Sequence, residues 1–267
     1  MCPGKFKYEI NRPDHFDLNQ IASSGQAFRI EDTGNDTFVI NAYDKSLTCL
    51  LTQNKLYLSC DKSEWDELWI DYFDLNRDYN IIEKSIYDFK DEHLIKSFEF
   101  GKGIRILKQH PWETIITFLI SQNNNITRIK RSVNALCRYT DPSGICFPKA
   151  ADIPGDVFMT HDFGLGYRNR YLAEMFEYTS KNPAWIEELK EMDYDSSMKR
   201  LTSFTGIGNK VANCICLFGL GHTEAFPIDT HVKKLMNKYY PEGFDTEYFG
   251  NFAGIIQQYL FYYELKG

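Results

Sequence analysis

Between Ala27 and Cys60, apolar and polar residues alternate. The stretches AFRI, TFVINAY, LTCLLT and KLYLSC are rich in β-branched and aromatic side chains. Turn residues at Thr33-Gly34-Asn35-Asp36, Asp44-Lys45-Ser46 and Gln53-Asn54 separate them. A period of two interrupted by turns predicts an antiparallel meander. From Pro111 the period changes. Trp112, Ile115, Ile116, Leu119 and Ile120 recur at spacings of three and four, and Pro111 suits a first helical turn. Asn123 to Asn125 offer caps between this helix and the next. Further helices are predicted over 126–138, 168–179, 196–203, 209–219, 230–239 and 246–264, with no internal repeat or low-complexity linker between them. The expected fold class is α+β: an N-terminal subdomain with an antiparallel sheet over 1–104, then an all-helical domain over 105–267.

Composition narrows the class. The 267 residues, 43% hydrophobic, suffice for one large domain or two ordinary ones. No apolar run is long enough for a cleaved signal or a spanning helix, so the expectation is a soluble, intracellular chain with no membrane partner. Seven cysteines, Cys2, Cys49, Cys60, Cys137, Cys146, Cys214 and Cys216, form an odd set without repeated C-x-x-C spacing. That argues against a disulfide framework, a zinc site or a cysteine-ligated iron–sulfur cluster, and predicts reduced thiols.

The net charge of -7 speaks against a polyanionic partner until its distribution is read. Residues 1–100 carry 11 Lys+Arg against 19 Asp+Glu, whereas residues 101–140 carry 7 against 1. This basic island consists of Lys102, Arg105, Lys108, Arg128, Lys130, Arg131 and Arg138, around the polar run Ser121-Gln122-Asn123-Asn124-Asn125. It is either a phosphate-tracking groove or a solvated helix face.

From Met198 to Leu220, two apolar helices flank Phe204-Thr205-Gly206-Ile207-Gly208. Gly206 and Gly208 permit a tight turn and close approach, and the free N–H groups opening the second helix suit a DNA phosphate. The pattern is a helix-hairpin-helix signature or an ordinary helical hairpin. Lys210 stands in the first turn of the second helix, where the helix's positive end and burial favour a nucleophilic amine; a phosphate contact is its other reading. Asp229, after Pro227 and Ile228, is placed to cap the next helix and to leave one carboxylate oxygen for a reacting centre, or to act as a cap alone.

These residues resemble the 8-oxoguanine DNA glycosylases of the helix-hairpin-helix superfamily. The resemblance spans nearly the whole chain in five ordered blocks: Ser24 to Arg29, Gln122 to Arg128, Gly164 to Tyr171, Gly206 to Cys214 with Pro227 to His231, and Gln257 to Phe261. Where the hairpin usually reads Leu-Pro, this chain has Phe204-Thr205.

The resemblance implies a bifunctional glycosylase and lyase in which Lys210 attacks the deoxyribose C1′ and forms a Schiff base, while Asp229 stabilises positive charge on the sugar. It implies that Phe261 and Cys214 flank an extruded base, Gln257 bonds its Watson–Crick edge, and the carbonyl of Gly25 accepts the N7 proton that distinguishes 8-oxoguanine from guanine. Asn123 would fill the vacated space, Tyr167 would wedge beside the orphaned partner, and Arg128 and Arg168 would bond the unpaired cytosine. His231 would touch a flanking phosphate. The implied partner is double-stranded DNA carrying 8-oxoguanine opposite cytosine. The expected enzyme is a monomer needing no cofactor, with a structural cation possible at the hairpin carbonyls. A glycosylase for another damaged base, or a non-catalytic module that binds damaged DNA, are the alternatives; Lys210 with Asp229 separates an enzyme from a pure binder.

Overall fold

The computed structural model describes residues 6–267, and Cys2 lies outside them. The fold is α+β. A five-stranded antiparallel sheet has the order β1-β5-β4-β3-β2, with β1 at Tyr8–Asn11, β2 at Ile30–Asp32, β3 at Thr37–Ala42, β4 at Lys45–Leu51 and β5 at Lys55–Leu58. The alternation seen in the sequence is the pleat: Phe38 and Ile40, Leu47, Cys49 and Leu51, and Leu56 and Leu58 all face the core. The β3–β4 turn falls on Tyr43 and Asp44, both left-handed at φ 50° and 61°, as a two-residue hairpin requires.

Three departures from the sequence reading stand out. The AFRI segment contributes only Ile30 to β2; Ala27 and Phe28 are buried outside the sheet. Neighbouring Gln26 is also buried, donating to the Arg105 carbonyl at 3.0 Å and accepting from the Leu107 amide at 2.8 Å. Strand β1 was not predicted, since Tyr8-Glu9-Ile10-Asn11 is too short to display a period. The helices Tyr79–Phe89 and Glu92–Gly101 complete the N-terminal α+β part and were likewise not predicted.

The chain forms two compact units that do not follow a division at residue 104. The first contains the chain up to Ile40, Leu47–Lys108 and His222–Gly267; the second contains Asn41–Ser46 and Gln109–Gly221. The C-terminal residues join the first unit because the helix Ala253–Lys266 packs along Glu92–Gly101. Tyr259 meets Phe98 edge-on with centroids 5.3 Å apart, and Tyr262 lies 5.4 Å from Phe100. All residues from Ala253 to Leu260 are buried, so this helix has no polar face to reveal its period. Its expected start at 246 is moved by Gly250, whose φ of 47° ends the short helix Thr246–Phe249.

The second unit is built around Pro111–Ser121, buried from Pro111 to Ile120 and capped by His110, whose Nδ1 accepts from the Trp112 amide at 3.2 Å. Gly219 lets a later segment approach this helix: a Cβ there would lie 2.9 Å from the Thr114 Cβ. The next helix, Ile126–Thr140, buries Ile129, Val133, Leu136 and Cys137 on one face and exposes Arg128, Arg131 and Arg138 on the other. Among the described residues no helix is long and apolar enough to cross a membrane.

Candidate active site

In the second unit, the candidate nucleophile sits on a hairpin between helices Tyr194–Thr202 and Asn209–Ile215. Gly206 turns the chain at φ +85° and lies so close to Tyr171 that a Cβ would be 2.7 Å from two ring carbons. Gly208 is the N-cap of the second helix at φ -89°, with no side-chain cap and open space where its Cβ would be. The amide groups opening this helix therefore face outward without a competing acceptor from the cap, as an anion site requires. Tyr194 ties the two helices by donating to Asn213 Oδ1 at 2.8 Å, and Asn213 Nδ2 donates to the Asn209 carbonyl at 2.9 Å.

Lys210 is half-buried, with Nζ 5.5 Å from the centroid of Phe118, which stacks on Phe218. Among the described residues no hydrogen bond or ion pair engages this amine. Cys214 is buried one turn further along the same helix.

The structure also brings together Asn123, Tyr167 and Arg168. Asn123 is exposed at φ 44° in the link between Pro111–Ser121 and Ile126–Thr140, and Asn125 caps the latter by accepting from the Arg128 amide at 2.9 Å. Tyr167 is 55% exposed, with the Arg168 guanidinium 4.5 Å from its ring centroid. Arg168 itself is 3% exposed. Its Nε donates to the Gln122 carbonyl at 2.9 Å, its Nη2 to the Gln122 carbonyl and, at 2.9 Å, to that of Asn123, and its Nη1 to Leu165 at 3.0 Å. The fork expected to read a cytosine here holds the Gln122–Asn123 backbone in place.

The basic island is not one groove. Arg105 is 4% exposed, donating to the carbonyls of Asp74 at 2.7 Å and Asp14 at 2.9 Å, with its guanidinium 4.3 Å from the Tyr79 centroid; burial pushes its pKa down. Lys102 pairs with Glu99 at 3.0 Å, and Lys108 with Asp71 at 2.6 Å. These three belong to the first unit and are engaged by their own neighbours. Arg128, Lys130, Arg131 and Arg138 lie on Ile126–Thr140, where Arg128, Arg131 and Arg138 are exposed and Arg138 also donates to Asn134 Oδ1 at 3.1 Å.

In the first unit, Asp229 caps Thr230–Tyr239: its Oδ1 accepts from the amides of His231 at 2.9 Å and Val232 at 2.8 Å. Its second oxygen has no partner among the described residues. His231 is exposed in the first turn. Gln257 is buried and donates to the Pro227 carbonyl at 3.0 Å, while its neighbour Gln258 donates to the Ser24 carbonyl at 2.9 Å. These two amides moor the segments carrying Asp229 and Gly25 to one helix. Gly25, at φ +81°, lies beside Phe261: a Cβ on it would be 3.6 Å from Phe261 Cε1. The mooring roles of Gln258, Ser24 and Pro227 escaped the sequence reading, because hydrogen bonds to backbone carbonyls leave no spacing signature.

The chain is similar to known proteins in both sequence and fold. Residues 8–115 match the 8-oxoguanine DNA glycosylase N-terminal domain family. The chain is 33% identical over 159 residues to the N-glycosylase/DNA lyase of Saccharomyces cerevisiae, an alignment covering 52% of this chain and 42% of the yeast protein, less than half of that relative's length. Among solved structures it superposes with a TM-score of 0.89 and 30% identity on MBOgg1 in complex with a low-affinity DNA ligand, covering 97% of this chain and 95% of that one. It superposes with a TM-score of 0.85 and 31% identity on the Clostridium acetobutylicum 8-oxoguanine glycosylase/lyase bound to double-stranded DNA with cytosine opposite 8-oxoG, covering 97% and 98%.

Proposed function

The chain belongs to the 8-oxoguanine DNA glycosylases of the helix-hairpin-helix superfamily, and from that membership we propose that it excises 8-oxoguanine from duplex DNA and then cleaves the strand. The observation that carries the reading is the pair of unengaged groups: the amine of Lys210 and the second carboxylate oxygen of Asp229, which its cap bonds leave open.

A base inside a duplex is out of reach of any side chain, so it is first extruded, at about a few kcal/mol. Phe261 stacks on it, Cys214 flanks it, Gln257 bonds its Watson–Crick edge, and the Gly25 carbonyl accepts the N7 proton that guanine lacks. Asn123 and Tyr167 occupy the gap, Arg128 and Arg168 address the cytosine left behind, and His231 and the Gly206–Gly208 amides hold phosphates. Arg168 reaches a base only by exchanging its carbonyl partners, so its contribution in the free protein is to shape the Gln122–Asn123 turn.

The neutral amine of Lys210 forms a bond to C1′ as the N-glycosidic bond breaks and its electron pair leaves with the base, which takes up a proton. The positive charge that develops on the sugar is stabilised by the fixed carboxylate of Asp229. The nitrogen lone pair then breaks the C1′–O4′ bond, opening the ring with a proton taken up on O4′; the iminium so formed makes the C2′ proton acidic, its removal expels the 3′ phosphate by β-elimination, and water hydrolyses the imine. This chemistry needs no metal or organic cofactor, and a cation at the hairpin carbonyls would serve structure only. The protein acts as a monomer inside the cell, wherever its DNA is held.

Borohydride trapping on a duplex with 8-oxoguanine opposite cytosine tests the reading. The protein should become covalently linked to the DNA, and Lys210→Gln should lose both trapping and base release while still binding the duplex. Strand cleavage by Lys210→Gln at the normal rate would overturn it. Trapping on another damaged base in preference to 8-oxoguanine would favour the glycosylase for a different lesion, and duplex binding without any base release would favour a non-catalytic module.

A further inference from the structure

Gly25 stands among buried polar groups. Ser24 and Gln26 are fully buried, and Gln258 is 2% exposed. A hydroxyl or amide taken out of water is costly unless it is bonded, and all three are bonded. Gln258 Nε2 donates to the Ser24 carbonyl at 2.9 Å. Gln26 Nε2 donates to Ser24 Oγ and to the Arg105 carbonyl, both at 3.0 Å, and Gln26 Oε1 accepts from the Leu107 amide at 2.8 Å. Ser24 Oγ in turn donates to the Ile21 carbonyl at 2.8 Å. These bonds fall on both sides of Gly25. The peptide plane before it contains the Ser24 carbonyl, held by Gln258. The plane after it contains the Gly25 carbonyl and ends at Gln26, whose side chain is tied to two backbone groups. Gly25 itself, at φ +81°, has no side chain to hold it, so its carbonyl stands where its neighbours put it.

Gln258 and Phe261 are three residues apart on the helix Ala253–Lys266 and so share a face. Gly25 rests beside the same ring, where an added Cβ would be 3.6 Å from Phe261 Cε1. One helix therefore sets both the ring on which an extruded base would stack and the segment whose carbonyl would read that base's edge. A hydrogen bond weakens steeply as it leaves alignment, so the acceptor has to stand near the plane of the stacked base. Its height above the Phe261 ring matters as much as its presence.

We propose that Gln258 is a positioning residue for lesion selectivity: its bond to the Ser24 carbonyl holds the Gly25 carbonyl at the level of a base stacked on Phe261. The proposal rests on the reading of Gly25 as the acceptor for the 8-oxoguanine N7 proton. Without the Gln258 bond, the carbonyl loses its alignment with that proton and also its repulsion from the N7 lone pair of guanine. The loss therefore falls on the choice between the two bases. Phosphate contacts, and strand cleavage at a site that has no base, do not use this carbonyl.

The test is duplex binding in a Lys210→Gln background, where the lesion stays in place, read as the ratio of affinities for duplexes with 8-oxoguanine or guanine opposite cytosine. Gln258→Met removes the amide at nearly constant shape and should lower that ratio about two- to tenfold, the net contribution of one hydrogen bond, with affinity for the guanine duplex nearly unchanged. With Lys210 present, cleavage at a pre-formed abasic site should fall by less than base release from 8-oxoguanine. Gln258→Asn, whose amide is one methylene short, should give an intermediate ratio, and it decides the matter if Gln258→Met does not fold. An unchanged ratio in either folded variant, a lower ratio in Gln258→Asn than in Gln258→Met, or equal losses at the abasic site and on 8-oxoguanine would each overturn the proposal, the last by exposing a general distortion. If the protein with Gln258 intact shows no preference for 8-oxoguanine, the reading of Gly25 itself fails. A preference that survives Gln258→Met overturns the positioning role alone.

Discussion

Gly206 and Gly208 are two residues apart in one hairpin, yet the structure assigns them different reasons for being glycine. At Gly206 an alanine methyl meets two penalties: the left-handed backbone at φ +85°, about 1–2 kcal/mol for a residue with a side chain, and a contact of 2.7 Å with Tyr171, where overpacking typically adds about 1–3 kcal/mol. Together they remove about 2–5 kcal/mol, a large share of an ordinary domain's stability. For a protein of this size, that corresponds to a melting temperature lower by about 4–20 °C. At Gly208 the backbone suits any residue and the added methyl meets open space, so the stability cost is that of a poorer N-cap, under about 1 kcal/mol. That methyl instead stands at the mouth of the unpaired helix amides, where a phosphate must come close. Gly206→Ala should therefore show its loss in thermal unfolding, and Gly208→Ala in duplex affinity with unfolding little changed. In a Tyr171→Ala background the clash disappears, and Gly206→Ala should then cost only its backbone share, about 1–2 kcal/mol. Equal melting temperatures for Gly206→Ala and Gly208→Ala, or an undiminished penalty in the Tyr171→Ala background, would refute the assignment.

Asp229→Asn preserves a good N-cap but removes the charge, so it should fold with a near-normal melting temperature and lose most of its base-release rate, measured in single turnover. Retained activity would leave Asp229 as a cap alone. Salt titrations of duplex binding should lose about 0.9 of slope for each phosphate contact removed by Lys130→Ala or Arg131→Ala, whereas Arg105→Ala should leave the slope unchanged and lower thermal stability, since Arg105 is buried against carbonyls. A reduced slope in Arg105→Ala would contradict that burial. His93 stacks on Tyr239 at 3.6 Å with its Nε2 buried and unpartnered, and burial lowers its pKa. The unfolded chain takes up the proton more readily, so stability is complete above the unfolded value of about 6.5 and declines as pH falls through it toward the lower folded value. His93→Phe should flatten, but not abolish, the fall in melting temperature between about pH 7 and pH 5, because His110 is also depressed by burial. An unaltered pH profile would exclude His93 as a contributor.

How much was readable from the chain follows from how each feature is encoded. The strands from Thr37 to Leu58 and the helix Ile126–Thr140 were legible because one face of each is buried and the other more open, which writes a period into the residues, whereas Pro111–Ser121, buried from Pro111 to Ile120, was legible from its starting proline and its apolar run. Ala253–Lys266 is buried nearly all round and wrote none, so neither its start nor its place beside Glu92–Gly101 was foreseen. Asp229 as a cap with one free oxygen was legible because capping is local chemistry within three residues. The basic island misled because sequence distance says nothing of depth: Arg105 looks like any other cation until its carbonyl partners, from Asp14 and Asp74, are folded around it. Arg168 escaped for the same reason, its fork closed by carbonyls more than forty positions away.

The acidic total of this chain is then no obstacle to a polyanionic partner. Part of its carboxylate charge is neutralised within a few ångströms by nearby lysines, as in Lys55 with Glu9, Lys62 with Asp66, Lys84 with Asp88 and Lys108 with Asp71. Such exposed pairs add little stability, about 0–1 kcal/mol each, but a paired charge projects only a dipole field, which fades within the roughly 8–10 Å over which salt screens. A phosphate approaching the second unit meets a different local population: Arg128 and Arg131 exposed on one helix face, and helix-opening amides at Gly208 that attract an anion through oriented dipoles and contribute nothing to the formal charge. Attraction at that surface depends on which groups stand there, not on the sum over 267 residues.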